Sequence, residues 1–406
     1  MKSFVQLNSE IGKLRTVILH RPGDELNYLI PPYLEYMLSE DTPHVRKAGL
    51  EHDNFAALLR ENGAEVLYLK ELFQEILKEE MVSREFIDEY CQKANIASKD
   101  LRSEVKLLLQ GLSPQELQEQ IFRGILKRDL SDQRHSLLPL AIDQEYPFVT
   151  EPLCGIYFTR DIGIFIGNGL AIGNMNMPFR SIESLLVKYI HKYHPRYQKD
   201  PVPLWYGFNE GYPIEGGDVL VLSDKVLAIG CGERTSLGAV ETIAHRLFQQ
   251  GFEQILVFAL PKDRRFMHLD VLFTMVDRDK FLVTPSIANN AIDLYSIRPG
   301  KNETLTISKE EREIKTILAE ALGLDKVLFI PVGGGDIINA PREHWNMGSN
   351  VLVLAPGKVV AYDRNDISNQ LLRENGVEVL TFGGCELSRG RGGPRCMSMP
   401  VYRDLI

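Results

Sequence analysis

Leu58-Leu59-Arg60-Glu61-Asn62-Gly63-Ala64-Glu65-Val66-Leu67 recurs as Leu371-Leu372-Arg373-Glu374-Asn375-Gly376-Val377-Glu378-Val379-Leu380. Each copy reads as a helix end, a glycine stop and then a strand, because glycine readily takes the left-handed torsions that end a helix. A unit of the same form with different residues runs from Leu247 to Phe258, with Gly251 at the stop. A second pattern is strand, tight turn, strand. It runs from Gly163 to Gly173 with a turn at Gly167-Asn168-Gly169, and from Val219 to Gly230 with a turn at Ser223-Asp224-Lys225. Further copies are Val271 to Pro285, turning at Asp277-Arg278-Asp279, and Asn350 to Tyr362, turning at Pro356-Gly357-Lys358. Turn chemistry makes each of these a hairpin. A first module would use Leu14 to His20 and return through Glu65 to Leu69. Hairpin-plus-helix units repeated about five times predict a ring of α/β modules.

Between Glu71 and Leu140 strand signals vanish and helical spacing takes over, as in Leu101, Val105, Leu108 and Leu109. Ser113-Pro114-Gln115-Glu116 is a helix start, with serine as cap and proline in the first turn. The expected organisation is therefore a catalytic α/β unit of residues 1–70 and 141–406 with a helical insert at 71–140.

Composition narrows the function. The chain has 406 residues, a net charge of -9, 44% apolar and 25% charged residues, as in a soluble globular protein. The acidic balance speaks against a nucleic-acid binder. No segment is long and apolar enough to span a bilayer. The N-terminal residues lack the blocks of a signal peptide. Cys91, Cys154, Cys231, Cys385 and Cys396 form no Cys-x-x-Cys pair, so neither a disulfide framework nor a zinc ribbon is expected. The expected location is the cytoplasm.

Carboxylates and a histidine fall near the hairpin starts, in Phe158-Thr159-Arg160-Asp161, Ile214-Glu215-Gly216-Gly217-Asp218, Met267-His268-Leu269-Asp270 and Gly333-Gly334-Gly335-Asp336. In a ring such positions converge on one axis. Asp161, Glu215, His268 and Asp270 would line a central pocket, and the loop Gly390-Arg391-Gly392-Gly393-Pro394-Arg395-Cys396 could bring a thiol there. His268 and Asp270, two apart on a strand, would share a face. These residue types suit a guanidinium, which two carboxylates can grip bidentately while a thiolate attacks its carbon. His268 would move protons, and Glu215 would orient it or bind substrate. As a metal pair His268 and Asp270 lack further ligands at telling spacings, so no metal is expected. The glycine run at 333–335 lacks the Lys-Ser/Thr of a P-loop.

At these residues the sequence resembles arginine deiminase, within the guanidino-group-modifying superfamily. The resemblance runs from Ser9-Glu10-Ile11-Gly12 and His20-Arg21-Pro22-Gly23 through the motifs above to Gly232-Glu233-Arg234-Thr235-Ser236, Tyr362-Asp363-Arg364-Asn365 and Gly390 to Met397. It implies a five-bladed α/β propeller with a helical insert. It also implies hydrolysis of L-arginine by water to L-citrulline and ammonia, without a cofactor, in a homo-oligomer. Cys396 would form the amidino-thioether, with His268 as acid and base and Glu215 beside it. Asp161 and Asp270 would clamp the guanidinium. Arg180 and Arg234 would bind the α-carboxylate, and Arg391 would close near the site. Phe158 and Asp218 would join the substrate-binding set. Gly155 stands where the family usually has an asparagine that helps hold the substrate's amino-acid end. Arg395, beside Cys396, is expected to favour the thiolate. An alternative keeps the chemistry and changes substrate or acceptor, as in a dihydrolase or an amidinotransferase. A binding protein without catalysis is the reading from another class.

Overall fold

The structure, a computed structural model, describes residues 4–133, 137–142, 145–208 and 210–406. Residues 134–136 of the expected insert, and 1–3, 143, 144 and 209 of the expected catalytic unit, lie outside the described residues.

Five sheets carry the same core plan, an antiparallel pair extended by a parallel strand that returns through a helix. In the first, Leu14–Leu19 pairs antiparallel with Met399–Arg403 and parallel with Glu65–Tyr68. The second joins Gly163–Ile166, Gly169–Ile172 and Leu204–Tyr206. The third joins Val219–Val221, Val226–Cys231 and Gln254–Ala259. The fourth uses Phe273–Met275, Lys280–Val283 and Leu328–Pro331. The fifth uses Leu352–Ala355, Lys358–Tyr362 and Glu378–Phe382. A helix precedes each returning strand, because two parallel neighbours need a long crossover. These helices include Val45–Glu61, Leu237–Phe248 and Asp366–Glu374.

The duplicated sequence is duplicated structure. Val45–Glu61 and Asp366–Glu374 both stop just before a left-handed glycine, Gly63 at φ 86° and Gly376 at φ 77°, and a strand follows. All four expected hairpins form at the expected turns. Two features were not foreseen. The antiparallel partner of Leu14–Leu19 comes from the far end of the chain, so both termini share one sheet. The connection of the fourth unit runs out as the hairpin Leu294–Pro299 and Leu305–Glu310, which widens the third sheet to five strands.

The stretch after Leu69 is helical: Leu69–Leu77, Glu80–Lys93, Lys99–Gln110 and Pro114–Arg123. Leu101, Val105 and Leu109 form the buried stripe of Lys99–Gln110. Ser113 caps the next helix in a capping box with Glu116. One short pairing, Ile125–Leu126 with Phe148–Thr150, breaks the helical run. The apolar side of these helices merges with the second sheet through residues such as Phe73, Phe86, Leu185 and Ile164. A second cluster, with Val17, Phe55, Phe273 and Val353, fills the space among the other sheets. Each such fully buried side chain stabilises the fold by about 1.5–3 kcal/mol before entropy is counted. Among the described residues no helix is long and apolar enough to cross a membrane.

Candidate active site

Each sheet presents the residues just before its leading strand to one place. Asp161 lies in the short helix Thr159–Ile162, directly before Gly163–Ile166. Glu215 precedes the turn Gly216–Asp218 that leads into Val219–Val221. His268 caps the turn Leu269–Val271, which holds Asp270 and leads into Phe273–Met275. Asn350 precedes Leu352–Ala355, and Cys396 precedes Met399–Arg403. A strand end splayed by twist leaves room for side chains to converge there.

His268 sits between two carboxylates. Its Nε2 is 2.8 Å from Glu215 Oε2, and its Nδ1 is 3.6 Å from Asp161 Oδ1. Burial opposes a charge on the ring, but Asp161, Glu215 and Asp218 outweigh it and raise His268 to about 9. Glu215 is also buried, yet Arg234, His268 and Arg180 hold it down at about 2. The Asn176 backbone N–H donates to Glu215 at 3.1 Å, and Arg234 Nη1 lies 3.4 Å away. Cys396 Sγ lies 3.9 Å and 4.0 Å from the two oxygens of Asp270. Its backbone N–H donates to Asn350 Oδ1 at 3.0 Å, and Asn350 Nδ2 donates to the Asp270 carbonyl at 3.2 Å. Burial pushes Asp270 up to about 6, against the pull of His268.

Several expectations change. His268 and Asp270 do not alternate on a strand; His268 precedes a 3-10 turn that contains Asp270, and the turn sets Asp270 beside the thiol. Asp336 does not join them. It is exposed and caps its own loop, accepting from the N–H groups of Ile338 and Asn339. The fifth sheet contributes Asn350 instead. Arg395 does pull the thiol toward the thiolate, but its charge is outweighed. Its guanidinium is taken up by Glu10 at 2.6 Å and 3.0 Å. Burial, Asp270 and Asp161 drive the Cys396 thiol well above the ordinary range. Asp218 is buried, accepts from the Leu269 N–H at 2.9 Å and so braces the His268 turn, with burial pushing it up to about 7.

The pocket over these groups is lined by Phe158, Asp161, Arg180, Arg234, His268, Arg391 and Cys396, and also by the segment Met37-Leu38-Ser39. Arg264 donates to the Leu38 carbonyl at 2.9 Å and holds that segment down. Sequence reading missed this segment, because an apolar turn carries no chemical signal. Arg391 has left-handed torsions, φ 62°, and its guanidinium carbon lies 3.6 Å from the centre of the Trp345 ring. A β-carbon at Gly392 would overlap the Phe158 ring, so the loop can close over Phe158 only with glycine there. Arg180 does not point outward. Its Nη1 bonds Asp161 Oδ2 at 2.6 Å and its Nε bonds Glu183 at 2.8 Å.

Asp161, Glu215 and His268 bring ligand atoms within 4.8 Å of one another, a spacing a metal could use. Arg180 and Arg234 stand against those same carboxylates, and two fixed cations there oppose a third.

A family model described as arginine deiminase matches residues 35–403. The chain belongs to the arginine deiminase family. Arginine deiminases of Bacillus cereus and Staphylococcus aureus are both 43% identical to it, over 100% and 99% of either chain respectively. Among solved structures, an amidinotransferase of saxitoxin biosynthesis from Microseira wollei matches with a TM-score of 0.58 at 13% identity, covering 99% of this chain and 98% of that one. The N-terminal domain of an arginine dihydrolase from cyanobacteria matches with a TM-score of 0.55 at 13% identity, covering 96% and 99%. At that identity these neighbours show that the α/β fold is shared.

Proposed function

We propose that the protein hydrolyses L-arginine to L-citrulline and ammonia, acting on the guanidino C–N bond. The observation that carries this is one buried constellation: Cys396 against Asp270, with His268 held between Glu215 and Asp161. Membership of the arginine deiminase family supports it. The guanidinium lies between Asp161 and Asp270 and offsets their charge beside the thiol, which releases its proton to solvent, where the departing ammonia later takes one up. Sγ attacks the guanidinium carbon. His268 gives its proton to one amino group, the C–N bond breaks, and ammonia leaves. The neutral imidazole then takes a proton from water, and the hydroxide adds to the amidino-thioether carbon. The C–S bond breaks, the hydroxyl proton returns to sulfur, and citrulline is released. Arg234 and Arg180 bind the α-carboxylate, Phe158 and Arg391 wall the pocket, and Asp218 supports His268.

The same reading sets five sheets around one axis as a five-bladed propeller of residues 1–70 and 141–406, with 71–140 as a helical insert. Its support is the equivalence of Asp161, Glu215, Asp270, Asn350 and Cys396 within their sheets. A cytoplasmic homo-oligomer acting on a small molecule, without nucleic acid or membrane, completes it; five unpaired cysteines support a reducing compartment.

Incubation with arginine tests the reaction. Equal amounts of citrulline and ammonia are expected, and no citrulline from folded protein sinks it. Gly155 keeps a dihydrolase or amidinotransferase as the second reading. Two ammonias per arginine, or amidine transfer to an added amine, would favour one of these.

A further inference from the structure

Arg180 and Asp161 should bind opposite ends of an arginine, the one its carboxylate and the other its guanidinium. In this structure they bind each other, 2.6 Å apart. The Arg180 guanidinium also donates to Glu183 at 2.8 Å, to the Gly155 carbonyl at 3.0 Å and to the Phe158 carbonyl at 3.4 Å. Arg180, Asp161 and Glu183 are all buried. A planar cation therefore already lies on the carboxylate that a substrate cation would use.

Gly155 permits this. A β-carbon there would come within 2.6 Å of Arg180 Nε and 2.7 Å of Glu183 Oε1, closer than unbonded atoms settle. The torsions of Gly155 are not left-handed, so space and not backbone conformation demands glycine.

We propose that Arg180 is a resident occupant of the guanidinium subsite, admitted by Gly155, and that substrate enters by exchange. This rests on Asp161 being the guanidinium clamp. An incoming guanidinium takes over Asp161, while the carboxylate of the same molecule draws Arg180 away. A guanidinium without a carboxylate would leave the buried Arg180 with Glu183 as its one carboxylate partner, and taking a partner from a buried charge is costly. The exchange therefore selects guanidino acids over simple guanidines. A side chain at position 155 removes the selection by evicting Arg180 beforehand.

The exchange predicts coupling between two small probes. Methylguanidine is titrated into the native protein by calorimetry, with and without saturating acetate, at ionic strength held constant with chloride. Acetate is expected to tighten methylguanidine binding by about fivefold or more, and methylguanidine to tighten acetate equally, as linkage requires. Weaker coupling overturns the proposal. In folded Gly155→Ala the coupling is expected to vanish, with methylguanidine binding tightened on its own; persistence of full coupling also overturns it. If that variant fails to fold, the native measurement decides. Citrulline formation is assayed on the same preparation. Its absence removes the proposed reaction, while the coupling still decides the exchange.

Discussion

His268 Nε2 meets Glu215 Oε2 at 2.8 Å while the other ring nitrogen faces Asp161 at 3.6 Å. A ring flanked by two carboxylates keeps its proton: His268 is raised to about 9. A raised value means that the acid form persists through neutrality and is lost as pH climbs through 9. We expect kcat/KM for arginine to fall above about pH 9. It should also fall as pH drops through about 6, where Asp270 gains a proton and loses its hold on a cation. Glu215→Gln removes one of the charges that raise His268, so the alkaline limb should move to lower pH. A pH–rate profile of both proteins checks this, and an unmoved limb would assign that limb to another group.

The thiol of Cys396 is held protonated by burial and by Asp270 and Asp161. Alkylation by iodoacetamide in the absence of substrate should therefore be slow at neutral pH and still rising above the ordinary thiol range of about 8.5. Asp270→Asn removes the nearest negative charge. It should speed alkylation at neutral pH while abolishing turnover. Faster alkylation of the native protein than of the variant would contradict this electrostatic account.

Glu10 lies between Arg395 at 2.6 Å and Arg160 at 3.5 Å, with all three side chains buried. Each arginine adjoins a site residue, Cys396 or Asp161. Glu10→Ala strands both guanidinium groups and is expected to cost about 3–5 kcal/mol of stability. Urea denaturation near neutral pH measures it. A loss under about 1 kcal/mol would mean that solvent or another anion replaces the carboxylate.

Trp345 supports Arg391, whose guanidinium nitrogens make no hydrogen bond among the described residues. The stacking is worth about 0.5–2 kcal/mol. Trp345→Ala should therefore raise amide exchange across residues 390–393 by roughly two- to thirtyfold, and Trp345→Phe by less. Hydrogen exchange read by mass spectrometry decides it; equal rates in native and alanine proteins would show that the loop is held by other contacts.

Much of the molecule is legible in its residues. The Leu58 and Leu371 repeats, the four hairpin turns and the Ser113 cap are local signals, set by torsion and turn chemistry, and the structure follows them. The thiol, the histidine and the carboxylates could be nominated because few side chains can handle a guanidinium. Asn350, Glu183, Trp345 and the Met37-Leu38-Ser39 segment could not. An asparagine before a strand or a glutamate in a helix is ordinary until something distant folds against it.

The residues by themselves determined the modules and the chemical inventory, since both rest on interactions between near neighbours or on the nature of one side chain. Tertiary structure alone decided three things. It joined the first and last strands in one sheet. It buried the Cys396 thiol beside Asp270, which together with Asp161 outweighs Arg395 and keeps the thiol protonated. It laid Arg180 on Asp161 across the space that Gly155 leaves open. Each depends on charges or strands far apart in the chain, whose energies exist only once burial has stripped away water and brought them within a few ångströms.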